Sequence, residues 1–94
     1  LDLGCGDGRF YRYLSDNYDG DFSYTGLDVS DELVKIADER YDAKFVCEDM
    51  MQYIKSPKQE SFDIVVMIAS FQHLPDIKYR LFLLKNVYRI LKYD

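Results

Sequence analysis

The sequence has no tryptophan, one histidine, two cysteines and two prolines in 94 residues. Each scarcity excludes something. So few prolines, with only five glycines, leave no room for a disordered linker, and neither an internal repeat nor a low-complexity segment is present. Cys5 and Cys47 form no C-x-x-C pair, and His73 lies close to neither in sequence, which argues against a zinc site. No apolar run approaches the roughly 20 residues of a membrane span. No basic segment precedes an apolar stretch, as it would in a secretory leader. Two scattered cysteines without a leader point to a reducing cytoplasm.

What is present suits one small globular domain: 48% hydrophobic residues, 31% charged and nine tyrosines. The net charge is −5, unevenly spread, since residues 77–94 carry five Lys/Arg against one Asp. The remainder carries seven bases and sixteen acids. An acidic body argues against broad nucleic-acid binding. The basic last segment reads as a solvated helix face, with an acidic partner as the alternative. Leu1 reads as the middle of a strand, and the run to Asp94 stops without closure. The chain is therefore expected to be a piece of a longer protein, incomplete at both ends.

Strand and helix patterns alternate. Leu1–Leu3 is a strand tail followed by glycines. Arg9–Tyr18 has helical spacing, with Phe10, Tyr13 and Leu14 on an apolar face. Asp19–Asp21 is a loop, and Tyr24–Val29 a strand. Ser30 caps a helix whose first turn holds Asp31 and Glu32 and whose apolar face is Leu33, Ile36, Ala37 and Tyr41. Ala43–Cys47 is a short strand, and Met51–Ile54 a helical turn. Phe62–Ala69 is a near-continuous apolar run that suits a strand buried on both faces. Asp76 caps a last helix with Ile77, Leu81, Leu84, Tyr88 and Leu91 along one face. This order predicts an α/β fold, a Rossmann-like parallel sheet with flanking helices. In such sheets ligands sit beyond the carboxyl ends of the strands.

The residues at those ends are informative as a set. After the first strand comes Gly4-Cys5-Gly6-Asp7-Gly8, a turn that lets a ligand approach backbone and helix N–H groups, or simply packs strand on helix. Cys5 within it reads as a small apolar filler, with a nucleophile as the alternative. After the second strand comes Asp28, followed by Val29. A carboxylate there accepts ribose hydroxyls, or serves the helix N-terminus beside Ser30. After the third come Glu48, Asp49 and Met50; a carboxylate there suits an adenine amino group and Met50 its ring face, with a surface position for either acid as the alternative. After the fourth come Ala69, Ser70 and, further on, His73. That histidine either fixes the turn before Pro75 or acts as a general base. The glycine spacing is G-x-G-x-G. Arg9 stands where the dinucleotide fingerprint has its last glycine, and no phosphate-loop GK[ST] follows. A nucleoside without a pyrophosphate fits better than NAD.

At this point "DLGCGDG" resembles the first motif of the class I S-adenosylmethionine-dependent methyltransferases, D/E-x-G-x-G-x-G. "GLDVS", "CEDM" and "FDIVVMIASFQHL" resemble the next three motifs, and "LKNVYRILK" the helix before the fifth strand. The resemblance implies a truncated seven-stranded methyltransferase fold with S-adenosylmethionine as cofactor. By position it implies Gly4, Gly6 and Gly8 along the methionine part, with Cys5 in the same loop. Asp2 would brace that loop and favour the ammonium. Asp28 would lie at the ribose, Asp49 and Met50 at the adenine, and Ala69 and Ser70 at the sulfonium, with Val29 also among the cofactor-binding residues. His73 is the candidate base if the acceptor must lose a proton.

The fourth strand ends Ile-Ala-Ser-Phe, not in the Asp/Asn-Pro-Pro-Tyr/Phe signature of amino-methylating members. Methylation of an exocyclic base amine by that route is therefore not expected. The stretch from Ile68 to Lys92 is also similar to tRNA wobble-uridine methyltransferases, a likeness that small-molecule enzymes share. The acceptor is then a small molecule or tRNA. The alternatives are a module that binds the cofactor without catalysis, and an NAD-dependent oxidoreductase. Without a fifth strand the fourth is expected to be an exposed, aggregation-prone edge.

Overall fold

The computed structural model describes residues 1–55, 62–68 and 77–91. Elements follow in the order β1 (Asp2–Leu3), α1 (Arg9–Asn17), β2 (Thr25–Asp28), α2 (Asp31–Arg40), β3 (Lys44–Cys47), α3 (Met50–Lys55) and α4 (Ile77–Ile90). The three strands form a parallel sheet ordered β1-β2-β3. Residues 62–68 flank the free side of β1, with a parallel bridge between Asp2 and Val66. Leu1 N donates to Ile64 O at 2.9 Å, Val66 N to Leu1 O at 2.8 Å and Leu3 N to Val66 O at 2.9 Å. β1 is thus the interior strand, and its carboxyl end opens at the middle of the sheet. No helix among the described residues is long and apolar enough to cross a membrane.

Register separates two faces, because strand side chains alternate. Leu3, Leu27 and Val46 are in register on one face; Asp2, Gly26 and Phe45 are in register on the other. The first face carries the aliphatic core of Leu1, Leu3, Leu27, Ile54, Leu83 and Val87, so α3 and α4 cover it. The second carries aromatics. Tyr11 meets Tyr24 at 5.0 Å, Tyr41 at 5.5 Å and Phe45 at 6.2 Å between ring centroids. Its hydroxyl donates to Asp42 O at 3.2 Å. Four tyrosine and phenylalanine rings in edge-on and tilted contacts are a substitute for a purely aliphatic layer.

Several helix faces differ from the sequence reading. In α1, Tyr13 is exposed and Tyr11 turns inward, because the aromatic layer offers Tyr11 partners on three elements. In α2 the buried residues are Val34 and Ala37, with Leu33 and Ile36 exposed. Val34, Ala37 and Tyr41 fit helical spacing equally well, and the small Ala37 lets α2 close onto Gly8. In α4 the buried residues among those described are Leu83 and Val87, one turn apart, whereas Ile77, Leu81, Leu84 and Tyr88 are exposed. That helix is apolar on two sides, and the side nearer α3 is the one that packs.

The Phe62–Ala69 strand is also revised. Among the described residues it pairs at isolated bridges, Val66 with Asp2 and Phe62 with Leu91. It is not buried on both faces, since Ile64 is 69% and Ile68 55% exposed. Val65 and Met67, on alternate positions, pack on the core. A two-residue β1 gives this segment too short a partner for a continuous ladder. The edge expected to be bare is paired at one point, by Leu91. Ala69 and the Asp76 cap lie outside the described residues.

Candidate functional site

The loop after β1 is held open by its glycines. Gly4, Gly6 and Gly8 have φ of 85°, 57° and 92°, in the region that L side chains rarely adopt. Gly4 N and Cys5 N both donate to Leu27 O, at 2.7 and 2.9 Å, which ties the loop to β2. Gly8 then begins α1 as its N-cap. A Cβ at Gly8 would lie 2.8 Å from the Tyr41 ring, so this glycine makes room for α2. A Cβ at Gly6 would meet nothing within 4 Å. Gly6 therefore borders open space at the carboxyl end of the sheet.

Asp28 joins this loop to the next strand end. Its Oδ2 accepts from Gly6 N at 3.0 Å and its Oδ1 from Ser30 N at 2.9 Å. A carboxylate has about four acceptor positions, so each oxygen keeps one for a hydroxyl. Ser30 Oγ accepts from Leu33 N at 3.3 Å and caps α2, as its sequence position predicts. Asp28 thus organises the turn and keeps acceptor capacity. Val29, beside it, is 66% exposed, an apolar surface at the mouth of the site.

At the end of β3, Asp49 Oδ1 accepts from Met51 N at 2.7 Å and Gln52 N at 3.3 Å. One of its oxygens is therefore a helix cap for α3, a role that sequence reading did not give it. Met50 is half-buried against the aliphatic core. Ala69, Ser70 and His73 lie outside the described residues.

Asp2 is the unusual group. It is 2% exposed, a carboxyl inside the sheet. Tyr24 donates its hydroxyl to Oδ2 at 2.5 Å. Among the described residues Oδ1 takes no hydrogen bond. Burial pushes the Asp2 carboxyl up from its ordinary range, while the Tyr24 hydroxyl works against that shift and the Asp28 charge adds to it. Burial likewise pushes the Tyr24 phenol up, with Asp2 adding to the shift. Cys5 is buried too, and desolvation, helped by Asp2 and Asp28, pushes its thiol up to about 12. Thiolate is the nucleophilic form, so burial disfavours Cys5 as a nucleophile. A Cβ at Gly26 would sit 2.9 Å from Cys5 Cβ, which is why β2 is bare there. Tyr24 was missed by sequence reading. Its signal was parity: Tyr24, Gly26 and Asp28 share a strand face, and Gly26 is in register with Asp2.

These features fit a nucleoside that carries an amine: acceptors for hydroxyls, an open glycine and a buried carboxylate. A family model described as a methyltransferase domain matches residues 1–94. The chain belongs to this methyltransferase family. Malonyl-[acyl-carrier protein] O-methyltransferase of Bacillus anthracis is 30% identical over 97 residues, covering 100% of this chain and 34% of that protein. A tRNA (carboxymethyluridine(34)-5-O)-methyltransferase of Macaca fascicularis is 30% identical, covering 97% of this chain and 12% of that protein. Among solved structures, the plantazolicin methyltransferase BpumL, crystallised with a pentazolic desmethylPZN analog and SAH, superposes with a TM-score of 0.81 at 26% identity. That match covers 98% of this chain and 34% of the BpumL chain. The methyltransferase domain thus has the Rossmann-like fold of these enzymes and spans about a third of the first of these relatives' length.

Proposed function

We propose that this chain is the cofactor-binding part of an S-adenosylmethionine-dependent methyltransferase. The observation that carries the reading is Asp28. It holds Gly6 N–H and Ser30 N–H while keeping acceptor positions beside the open flank of Gly6. In this reading Gly4, Gly6 and Gly8, with Cys5, line the methionine part and Asp2 receives its ammonium. Asp28 receives the ribose hydroxyls. Val29 and Met50 flank the adenine, and Asp49 offers its second oxygen to the adenine amino group. Ala69 and Ser70 face the sulfonium, and His73 serves as base where the acceptor must lose a proton.

S-Adenosylmethionine supplies, when bound, a sulfonium-activated methyl group. The protein then needs to align donor and acceptor for an in-line displacement and to exclude water. Relatives named for malonyl-[acyl-carrier protein], a tRNA carboxymethyluridine and plantazolicin match this same stretch. The stretch therefore supports the cofactor, and the acceptor is a small molecule or tRNA. Family membership supports transfer over binding without catalysis. The G-x-G-x-G spacing speaks against a nicotinamide dinucleotide.

Calorimetric titration of the full chain with S-adenosylhomocysteine and, separately, NAD tests this. Binding of the first alone, lost in Asp28→Ala, is the expected result. Binding of NAD alone, or of neither by a folded sample, overturns the reading. Transfer of a labelled methyl group separates an enzyme from a binding module.

A further inference from the structure

We infer that Tyr24 is a positioning residue for the cofactor's amino acid end: its hydroxyl holds one oxygen of buried Asp2 so that the other faces an amine. The inference rests on the cofactor reading above. Tyr24 lies just before β2, 22 residues from Asp2 in sequence, and touches it only through the fold.

A carboxylate that is 2% exposed is costly unless its oxygens are paired. Here Oδ2 has the Tyr24 hydroxyl at 2.5 Å, and Oδ1 has no donor among the described residues. One oxygen is thus fixed and the other awaits a donor. Asp2 stands two residues before Gly4, so its carboxyl sits at the root of the glycine loop. An ammonium, with three N–H donors and a positive charge, completes such a site better than a neutral group does.

Tyr24 is itself held firmly. Its ring meets Tyr11 at 5.0 Å and Phe45 at 5.6 Å between centroids. A Cβ at Gly26 would come 2.9 Å from its Cε1, so the bare β2 backbone leaves the ring its place. An ordered ring aims its hydroxyl along one direction, and a carboxylate gripped there cannot rotate away. The hydrogen bond also favours the charged form of Asp2, the form an ammonium needs. The aromatic layer on this face is in that sense the support of a binding group.

The test compares two ligands that differ at the amino acid end: S-adenosylhomocysteine, which has it, and 5′-methylthioadenosine, which lacks it. Both are titrated calorimetrically into the full chain. Tyr24→Phe, which keeps the ring, is expected to weaken S-adenosylhomocysteine by about tenfold to a hundredfold, the loss of one hydrogen bond to a charged group. Methylthioadenosine binding stays within about twofold, inside the usual scatter for sites that do not couple. Asp2→Asn loses the same ligand preference, and Tyr24→Phe adds nothing further in that background. Equal weakening of both ligands, or of neither, overturns the inference. If Tyr24→Phe fails to fold, Asp2→Asn carries the test, because its amide oxygen still accepts from Tyr24; an unchanged preference there also overturns it. If the wild-type chain binds neither ligand, the cofactor reading itself falls.

Discussion

Gly6 and Gly8 look equivalent in the sequence, and the structure separates them. Consider Gly6→Ala and Gly8→Ala. At Gly6, φ is 57° and a Cβ meets nothing within 4 Å. The cost to folding is the left-handed backbone alone, about 1 kcal/mol. At Gly8, φ is 92° and a Cβ would lie 2.8 Å from two atoms of the Tyr41 ring. That ring is wedged against Tyr11 and Phe45, so it yields little. Backbone strain of about 1–2 kcal/mol and overpacking of about 1–3 kcal/mol add to about 2–5 kcal/mol. For a chain this size, 1 kcal/mol lowers Tm by about 4–8 °C. Gly6→Ala should therefore melt about 4–8 °C lower, and Gly8→Ala at least about 10 °C lower. Binding should rank in the opposite sense among folded samples. Gly6→Ala places a methyl group in the space proposed for the cofactor and should weaken S-adenosylhomocysteine more than about tenfold, or 1.4 kcal/mol. Thermal melts without ligand and calorimetric titrations below both midpoints measure the two effects. A Gly6→Ala chain that binds normally, or that loses as much stability as Gly8→Ala, refutes the reasoning.

The α4 face is tested by Leu83→Ala against Leu81→Ala. Leu83 is 0% and Leu81 59% exposed, so the first should cost about 2–5 kcal/mol and the second under about 0.5 kcal/mol in urea titrations. Iodoacetamide at mild alkaline pH should modify exposed Cys47 and spare Cys5, which is buried with its thiol pushed up to about 12; rapid labelling of Cys5 in peptide maps would contradict that. Asp2→Asn should stabilise the unliganded chain near neutral pH. Burial raises the Asp2 pKa in the folded state, so its contribution is intact below the unfolded value of about 3.9 and is lost as pH rises through the folded value. The advantage of Asn should vanish in acid, and melts from acid to neutral pH that show a constant gap would sink the idea.

Elements with a strong period were legible from residue types alone. The β/α alternation, the glycine loop, Ser30 as cap and Asp28 at its strand end all stand where the pattern put them. Helix faces were less legible. α2 has both Leu33 with Ile36 and Val34 with Ala37, and α4 is apolar on two sides. Periodicity accepts either stripe, and only the partner surface decides. Asp49 reads as a ligand from sequence, yet one of its oxygens caps α3, a role open to any carboxylate just before a helix. The Asp2–Tyr24 bond needed the β1–β2 register, which no local pattern reveals.

The interior position of β1 has a kinetic consequence. Its pairing with β2 closes a short loop, but its pairing with residues 62–68 joins positions 63 apart in sequence. Closure over longer separations is slower. The glycine loop leaves from between these two partners, so half of its foundation arrives only when the distant segment docks. Refolding should thus recover helical signal before it recovers ligand capture, and the interval between them measures how long the site waits for its second wall.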